Sequence, residues 1–527
     1  MNERAALYME TVLQCRSTMD RRRTRYAELR DLYLFGTEHG GRAVFNKVKT
    51  HIDQTVAYMY TPETVRFDVK FPIRYGPMYA ERSDIMRQLM QELWTDSDAD
   101  INFSHALTWG LVLGNYLLKS YWVNDEIRVG LLHPGNFGVY LESATMGDQE
   151  AVVQVYYMTK GQFRRTYGSL EGFIRAETST PDNEQGTLDV PLWITESQTN
   201  IAGALTTTDV SAQDDYRAES ITDVVEMTEL WIYDDDVKNY RTVKMMGEYL
   251  VSDDVNVVFR EPILPFVSVD PSPLPDYFWG QSEAALVSDL QEWRENRIMQ
   301  IRRIHDLQLK PPRVFSGMAM PEEKMASLYR PGAAVGSTMP GGKIDSLSPT
   351  VTPDLEAELG QIDAMIAEVT GITPLLAGTA SGGGKSAAHT DALAMLAGSR
   401  IRKRVMDVER QLDQVATQCM LIYRQESIVK YTSDKGEVFM LMDVPGDFQV
   451  VVASHSGSPL FKPSQMQAAE MLMLAGAIDK ESLVEIVDPP LREEIIKRLK
   501  VAMLKEAQAV PPPKPAQAKQ IEKDMKS

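Results

Sequence analysis

The feature that most constrains the fold is a long helical stretch with a proline at each boundary. Residues 271–280 read PSPLPDYFWG and cannot form a regular helix, but from Ser282 a helix can run unbroken to Lys310, where Pro311 and Pro312 stop it. At 1.5 Å per residue this is roughly 43 Å of helix. Apolar and charged positions lie on different faces, so the sequence predicts a long amphipathic rod that needs a neighbour.

A second helix follows after an excursion of about 40 residues. Between residues 311 and 352, glycine and proline recur every few positions, which predicts loops and small strands. Thr352 can then cap a helix that has Pro353 at its first position and ends at Gly371. Its apolar seam comprises Leu355, Leu359, Ile362 and Ile366. We therefore expect an antiparallel helix pair with a small module at its tip.

The rest of the chain mixes helical and strand patterns, so the predicted fold class is α+β and predominantly helical. Helices are expected at residues 3–35 (as one or two surface helices), 79–95, 103–113, 387–425, 464–477 and 491–507. Strands are expected at residues 116–123, 127–133, 151–158, 224–233, 240–250, 438–442 and 448–453. The seam of the helix at 387–425 has the 4-3 spacing of a helix packed along another helix. Residues 177–216 read as a long exposed loop.

Composition and charge exclude several classes of protein. Hydrophobic residues make up 43% and charged residues 24% of the 527 positions, as in ordinary folded proteins. The net charge of −19 has the wrong sign for a protein that coats nucleic acid. Cys15 and Cys419 are far apart, which predicts no disulfide and a reducing compartment. Without a signal-peptide pattern or an apolar run of ~18 residues, we expect a soluble protein that is not secreted.

The motifs in the sequence do not favour an enzyme. Residues 378–386 end like a phosphate-binding loop, but Thr379 stands where a Walker A sequence needs glycine, and no buried strand precedes it. The seven histidines lack metal-ligand spacing, so neither a metal nor a cofactor is expected, and turn chemistry explains the aspartates at 234–236. No nucleophile elbow is present. This favours a structural or interaction role, although catalytic groups from distant positions leave no such signature.

The succession of these segments resembles that of the portal proteins of tailed bacteriophages, the rings that join head to tail at one capsid vertex. The resemblance rests on an arginine-rich N-terminal helix, the proline-rich string before the first long helix, the excursion, the second helix, the Gly/Ser loop and the long helix after it. Residues 448–458 and 475–479 also look like the family's entry into its C-terminal region. The match covers most of residues 271–505, and the N-terminal half more loosely.

The resemblance implies a division of the chain into wing, stem, clip and crown. The implied segments are the wing at 1–270, the first stem helix at 271–310, the clip at 311–351, the second stem helix at 352–371, the tunnel loop at 372–386, the long wing helix with wing strands at 387–460, a helical crown at 461–507 and a disordered tail at 508–527. Such proteins form rings, and neighbouring subunits would cover the remaining apolar stripes. The segment at 177–216 is not typical of the family.

The resemblance also implies a function. The chain would form a dodecameric ring in the virion, assembled in the host cytoplasm, through which the terminase large subunit drives double-stranded DNA and from which DNA is later ejected. Tail adaptor proteins would bind the clip, and the major capsid and scaffolding proteins would be further partners. No membrane, cofactor, metal or catalytic residue is implied. An acidic subunit fits a conduit, because neutralising many phosphates would hold the DNA and resist its sliding.

The residues implied in this role fall into three groups. The DNA-contacting tunnel loop comprises Gly378, Ser381, Gly382, Gly383, Gly384, Lys385 and Ser386. Basic residues of the clip are Arg313 and Lys343, and the seam at Leu355, Leu359, Ile362 and Ile366 would lie between subunits. The alternative is another oligomeric virion component, such as a capsid or tail-adaptor subunit, followed by a divergent nucleotide-dependent motor. A capsid subunit would not need two stem-like helices, and a motor would need an intact P-loop.

Overall fold

The structure is a computed structural model of the chain, and it describes residues 3–37, 45–62, 65–167, 224–247, 249–309, 313–316, 343–346, 353–372, 399–432, 438–452 and 462–480, with a few single positions beyond them. The described residues mix helix and sheet, with helix the larger part. The chain divides into two compact units, residues 1–457 and residues 458–527. No helix among the described residues is long and apolar enough to span a bilayer.

The helices expected at 3–35, 79–95, 103–113, 282–310 and 352–371 are confirmed to within a few residues, whereas the helices at 47–59 and 160–167 were not expected. In the first unit the helices are α1 (Glu3–Phe35), α2 (Lys47–Met59), α3 (Ala80–Asp96), α4 (Ala99–Leu113), α5 (Lys160–Tyr167), α6 (Glu283–Leu309), α7 (Pro353–Thr370) and α8 (Ser399–Glu426). In the second unit α9 spans Lys462–Leu474. The region 387–398, expected to begin the third long helix, lies outside the described residues, as do 177–216 and most of 491–507.

The strands form antiparallel sheets. They are β1 (Phe67–Lys70), β2 (Tyr116–Val123), β3 (Glu126–Leu132), β4 (Phe137–Tyr140), β5 (Ala151–Thr159), β6 (Val224–Asp234), β7 (Asn239–Met246), β8 (Tyr249–Val255), β9 (Phe266–Val269), β10 (Arg313–Ser316), β11 (Lys343–Ser346), β12 (Lys430–Thr432), β13 (Val438–Met440) and β14 (Gln449–Val452). The larger sheets have the orders β4-β5-β6-β7-β8 and β3-β2-β9, and the pairs β1-β14, β10-β11 and β12-β13 are two-stranded.

The prediction of a single strand at 240–250 is wrong, because this segment contains most of β7, a tight turn and the start of β8. Gly247 has a φ of +56°, a backbone conformation that glycine adopts without steric cost, and the chain reverses there from β7 to β8. The apolar run continued through this glycine, so its periodicity gave no sign of the turn. Strand β8 is the outer strand of the five-stranded sheet.

Helix α1 is one continuous helix, and it is more than a surface element. One face packs on the five-stranded sheet through side chains spaced by four, three and four residues: Tyr8, Val12, Cys15 and Met19. They contact a cluster from β5, β6 and β7 that includes Val153, Leu230 and Val243. The expectation of one or two surface helices at 3–35 is therefore corrected, because one face of α1 is buried in the core. The many charged residues of this segment made the narrow apolar face difficult to recognise in the sequence.

The opposite face of the five-stranded sheet packs against the three-stranded sheet. Trp231 and Val152 contact Leu117 of β2 and Phe266 of β9 in one buried cluster. Alternate residues of β2 face the other way, because successive side chains of a strand point to opposite faces. The first unit is therefore layered as α1, the five-stranded sheet, the three-stranded sheet and α8.

Helix α8 buries the predicted apolar seam, but mainly against strands. The buried seam comprises Ile401, Val405, Val408, Leu412, Val415, Cys419 and Ile422. Helix α8 contacts β14, β2 and β9 as well as α2 and α3. The 4-3 spacing predicted a helix packed along another helix, and it could not separate this from a helix packed on a sheet, because both bury the same stripe.

Candidate functional site: the α6–α7 helix pair

Helix α6 begins where the sequence predicts, at a serine cap. The backbone N–H of Ala285 donates to Ser282 Oγ at 3.0 Å, and Ser282 Oγ in turn donates to the carbonyl of Val112 on α4. Glu283 supplies a carboxylate in the first turn, where the helix dipole favours negative charge. The helix then runs for 27 residues, about 40 Å.

Two ion pairs fix the register between α6 and α7. Arg294 Nε lies 2.7 Å from Asp363 Oδ1, and one turn further along α6 the guanidinium of Arg297 pairs with Glu358. From the first ion pair to the second, the residue number rises on α6, from 294 to 297, and falls on α7, from 363 to 358. The two helices are therefore antiparallel, and each pair consists of an arginine on α6 and an acid on α7.

A two-stranded hairpin lies between the two helices in sequence. Strand β10 follows α6 and pairs antiparallel with β11, which precedes α7, in the register Arg313 to Ser346 and Ser316 to Lys343. The small strands expected in the excursion are thus present at residues 313–316 and 343–346. Only the backbone of these strands is described. Arg313 and Lys343, the expected basic clip residues, lie at opposite ends of the two paired segments.

A buried polar network anchors the first half of α6. Gln291 is fully buried, and its side chain donates to the carbonyl of Phe45 at 3.3 Å and accepts from the N–H of Lys47 at 3.2 Å. The Glu295 carboxylate, also buried, accepts from the N–H of Thr37 at 3.2 Å. These bonds tie α6 to the connection between α1 and α2, so the helix pair starts from a fixed base.

A buried ion pair joins the start of α6 to α8. Arg404 of α8 binds the carboxylate of Glu283, and both side chains are less than a tenth exposed. Ser272 Oγ donates to the same carboxylate at 3.3 Å. Burying opposite charges together avoids the large cost of burying either one alone. The sequence pattern marked neither residue, since only the fold brings positions 283 and 404 together.

The loop before α6 contains a carboxyl group with a displaced pKa. Burial raises the pKa of Asp270 to about 7, opposed by the N–H of Ser272, which donates to Asp270 Oδ1 at 3.0 Å. A side chain at Gly280 would meet that carboxylate, because an added Cβ would lie 2.1 Å from Oδ1. Gly280 at the end of the proline-rich string therefore allows the loop to fold back on Asp270 just before α6 begins.

The apolar seam of α7 is largely covered within one chain. Ile362 and Ile366 are at most 1% exposed, whereas Leu355 and Leu359 are half-buried. The two isoleucines pack inside the first unit, where α7 contacts α6. The expectation that all four residues lie between subunits is therefore revised: Ile362 and Ile366 belong to the core of a single chain, because a helix seam faces its nearest partner whether that partner is in the same chain or another.

Other faces of the pair are exposed and apolar. Trp293 and Leu307 on α6 are 42% and 36% exposed, Leu309 at its end is 78% exposed, and Met365 on α7 is 41% exposed. Trp293 and Leu307 are two heptads apart, so they lie on the same side of α6. About 21 Å of helix separates the two, so they mark one side of α6 without forming a continuous apolar patch.

Charge is distributed unevenly over the pair. Helix α7 has five acidic residues and no lysine or arginine: Asp354, Glu356, Glu358, Asp363 and Glu368. The last 13 residues of α6 contain three arginines, Arg297, Arg302 and Arg303, and one acid, Asp306. Glu358 and Asp363 are used within the chain, whereas Asp354 and Glu356 are exposed. The outer surface of α7 is therefore acidic.

The remaining residues singled out in the sequence give no second site. The tunnel-loop residues at 378–386 lie outside the described residues, and so does the P-loop-like end of that segment. At the turn after β6, Asp236 N–H donates to Asp234 Oδ1 at 2.9 Å, and Arg241 binds both Asp234 and Asp253. Turn chemistry and an ion-pair cluster account for these aspartates. Within the described ranges, no group of three or more His, Cys, Asp or Glu side chains could hold a metal.

Comparison with known proteins does not assign the chain to a family. No protein-family model matches it, and no curated protein is significantly similar to it. The functional interpretation therefore rests on the residues and geometry of the chain itself.

Proposed function

We propose that this chain is the subunit of a portal ring of a tailed bacteriophage, located at the unique vertex of the capsid. In this role the ring is the conduit through which a terminase packages double-stranded DNA and through which DNA later leaves, and it binds tail adaptor proteins. The chain assembles with further copies of itself, twelve in the usual portal ring. The capsid and scaffolding proteins are its other partners, and the subunit itself carries out no reaction.

The observation that carries this proposal is the antiparallel α6–α7 pair with a hairpin between its helices. A stem of two long helices that supports a small clip module is the part of a portal subunit that other virion proteins do not need. The ion pairs of Arg294 and Arg297 with α7 support this geometry, and so does the pairing of β10 with β11. A capsid or tail-adaptor subunit is the alternative function.

Two further observations favour a ring subunit. In a ring, a neighbouring subunit would cover the exposed side chains of Trp293 and Leu307, which lie on one side of α6. The net charge of −19 suits a conduit, since a channel that neutralised many phosphates would hold the duplex and resist its sliding. A motor remains the least favoured function, because its P-loop would need glycine at the position of Thr379.

Native mass spectrometry of the purified chain tests the proposal. Twelve copies of a 59.2-kDa chain give a particle of about 710 kDa, and a single discrete mass near this value is expected at physiological salt. A different closed ring number would keep the proposal and correct the stoichiometry. A chain that remains monomeric at micromolar concentration, or forms a continuous distribution of open oligomers, would contradict it.

A further inference from the structure

We infer that the exposed stripe of α6 in one copy binds the acidic outer face of α7 in the adjacent copy, with Arg303 paired to the carboxylates of the first turn of α7. The inference rests on the proposed ring, and it specifies which faces of the two helices meet. The partner is a second copy of this chain.

The first observation is an unpartnered stripe on α6. Arg303 lies one helical turn before Leu307, and Leu307 lies two heptads after Trp293, so the three side chains share one side of the helix. All three are exposed, and among the described residues Arg303 makes no ion pair. The arginines used within the chain, Arg294 and Arg297, point instead to α7.

The second observation is the complementary charge of α7. Asp354 and Glu356, in the first turn of α7, are exposed and make no ion pair among the described residues. A cation from another chain can therefore reach carboxylates that no group of their own chain occupies. Inside the chain, the inner faces of the two helices already meet as arginine on α6 against acid on α7.

The third observation is the axial position of the groups. Arg297 is level with Glu358, and Arg303 lies six residues, about 9 Å, further along α6. Helix α7 of the same chain runs antiparallel to α6, and at this height it has its first turn, which contains Asp354 and Glu356. In a ring whose axis runs along the helix pair, every copy has α7 at the same height. Arg303 of one copy then meets the first turn of α7 in the next.

Charge reversal with mixing tests the pairing. At low ionic strength, Arg303→Glu should abolish the ring mass while the chain stays folded by circular dichroism, and the double change D354R/E356R should do the same. Mixing the two variants should restore rings, because alternating copies again present opposite charges at every contact. Raising the salt to about 0.5 M should weaken the effect of either variant, since the charges are screened. Arg25→Glu, exposed on α1, is the control that changes the net charge equally.

A glycine substitution provides a second test that does not depend on charge. Gly360 lies one turn after Glu356 on the exposed side of α7, and an added Cβ there has no neighbour within 4 Å. Gly360→Gln should therefore leave the single chain folded, and even slightly more stable because glycine disfavours helix, yet reduce ring formation at least tenfold. Gly147→Gln is the matched control, since Gly147 also faces open space, but in a turn far from the pair in sequence.

The outcomes separate the two proposals. Wild-type rings together with normal rings of Arg303→Glu, or failure of the mixed variants to form rings, would overturn the pairing and leave the ring intact. A wild-type chain that forms no ring would overturn both. If a charge variant unfolds, Gly360→Gln decides: normal rings of this variant would overturn the pairing, and loss of rings with an unchanged melting temperature would support it.

Discussion

Removal of one partner from the buried ion pair between Lys119 and Glu229 is expected to destabilise the first unit strongly. Lys119 Nζ lies 2.6 Å from Glu229 Oε1, and it joins β2 of one sheet to β6 of the other. Trp231 Nε1 donates to the same oxygen at 2.7 Å. The Glu229 side chain is only 7% exposed. Changing Lys119 to Met keeps most of the apolar volume and leaves the Glu229 carboxylate buried without this partner.

The expected cost is about 3–5 kcal/mol, the range found when one partner of a buried ion pair is removed. This corresponds to a factor of about one hundred to several thousand in the unfolding equilibrium. The double variant Lys119→Met/Glu229→Met should recover most of the loss, because it leaves no buried charge. Lys430→Met removes an exposed lysine and should change stability by less than about 0.5 kcal/mol.

The effect should depend on pH. Burial alone would raise the pKa of Glu229, but Lys119 and the N–H of Trp231 outweigh it and hold the pKa below its ordinary value of 4.5. In the wild type this contribution to stability is present above pH 4.5 and is lost as the pH falls through the lowered pKa. In the variant the pKa should rise, so stability should fall as the pH increases from about 4. The difference between the two proteins should therefore grow from pH 4 to pH 7.

Urea unfolding followed by tryptophan fluorescence measures these quantities, since Trp231 is fully buried beside the pair. The reasoning would be refuted by a Lys119→Met variant within about 1 kcal/mol of the wild type at pH 7. A difference that does not change between pH 4 and pH 7 would refute the assignment of the effect to the Glu229 charge.

Three further predictions concern the helix pair and the loop before it. Asp270→Asn should stabilise the chain by at most about 4 kcal/mol at pH 8 in urea unfolding and hardly at all at pH 4, because the pKa of about 7 means that stability falls as the pH rises from about 4 to 7. Ile362→Asp should lower the thermal midpoint in circular dichroism even under conditions where no ring forms, since the residue is fully buried in one chain. Gly114→Ala should lower the same midpoint, because Gly114 has a φ of +107° and an added Cβ would lie 2.4 Å from the carbonyl of Gly280, whereas Gly147→Ala should not.

Local patterns predicted the long helices well. The prolines at 271–275 and 311–312 bracket α6, and Thr352, Pro353 and Gly371 mark the ends of α7. Propensity, caps and periodicity all act within one or two turns, so they can be read from neighbouring residues. The small strands β10 and β11 were expected for the same reason, because glycine and proline leave room only for short segments.

Contacts between distant positions could not be predicted in this way. Strand β1 pairs with β14, although nearly 400 residues separate them in sequence. Nothing in the residues of either strand indicates which other strand it pairs with. Lys119 and Glu229 are 110 residues apart, and Glu283 and Arg404 are 121 residues apart. An isolated charge in a sequence reads as solvated surface, and only the fold shows that it is buried and paired. The spacing of an apolar seam also cannot show which of its residues pack in the chain's own core and which would contact a neighbouring subunit.

We propose that copies of this chain close into a ring with the α6–α7 pairs around a channel. Electron cryomicroscopy of the purified wild-type assembly tests it most directly. We expect one closed ring with cyclic symmetry, in which the long helices of every subunit surround an axial channel wide enough for duplex DNA and the β10–β11 hairpins form one rim. A monomer, an open filament, or a closed particle with the helix pairs remote from its axis would contradict it.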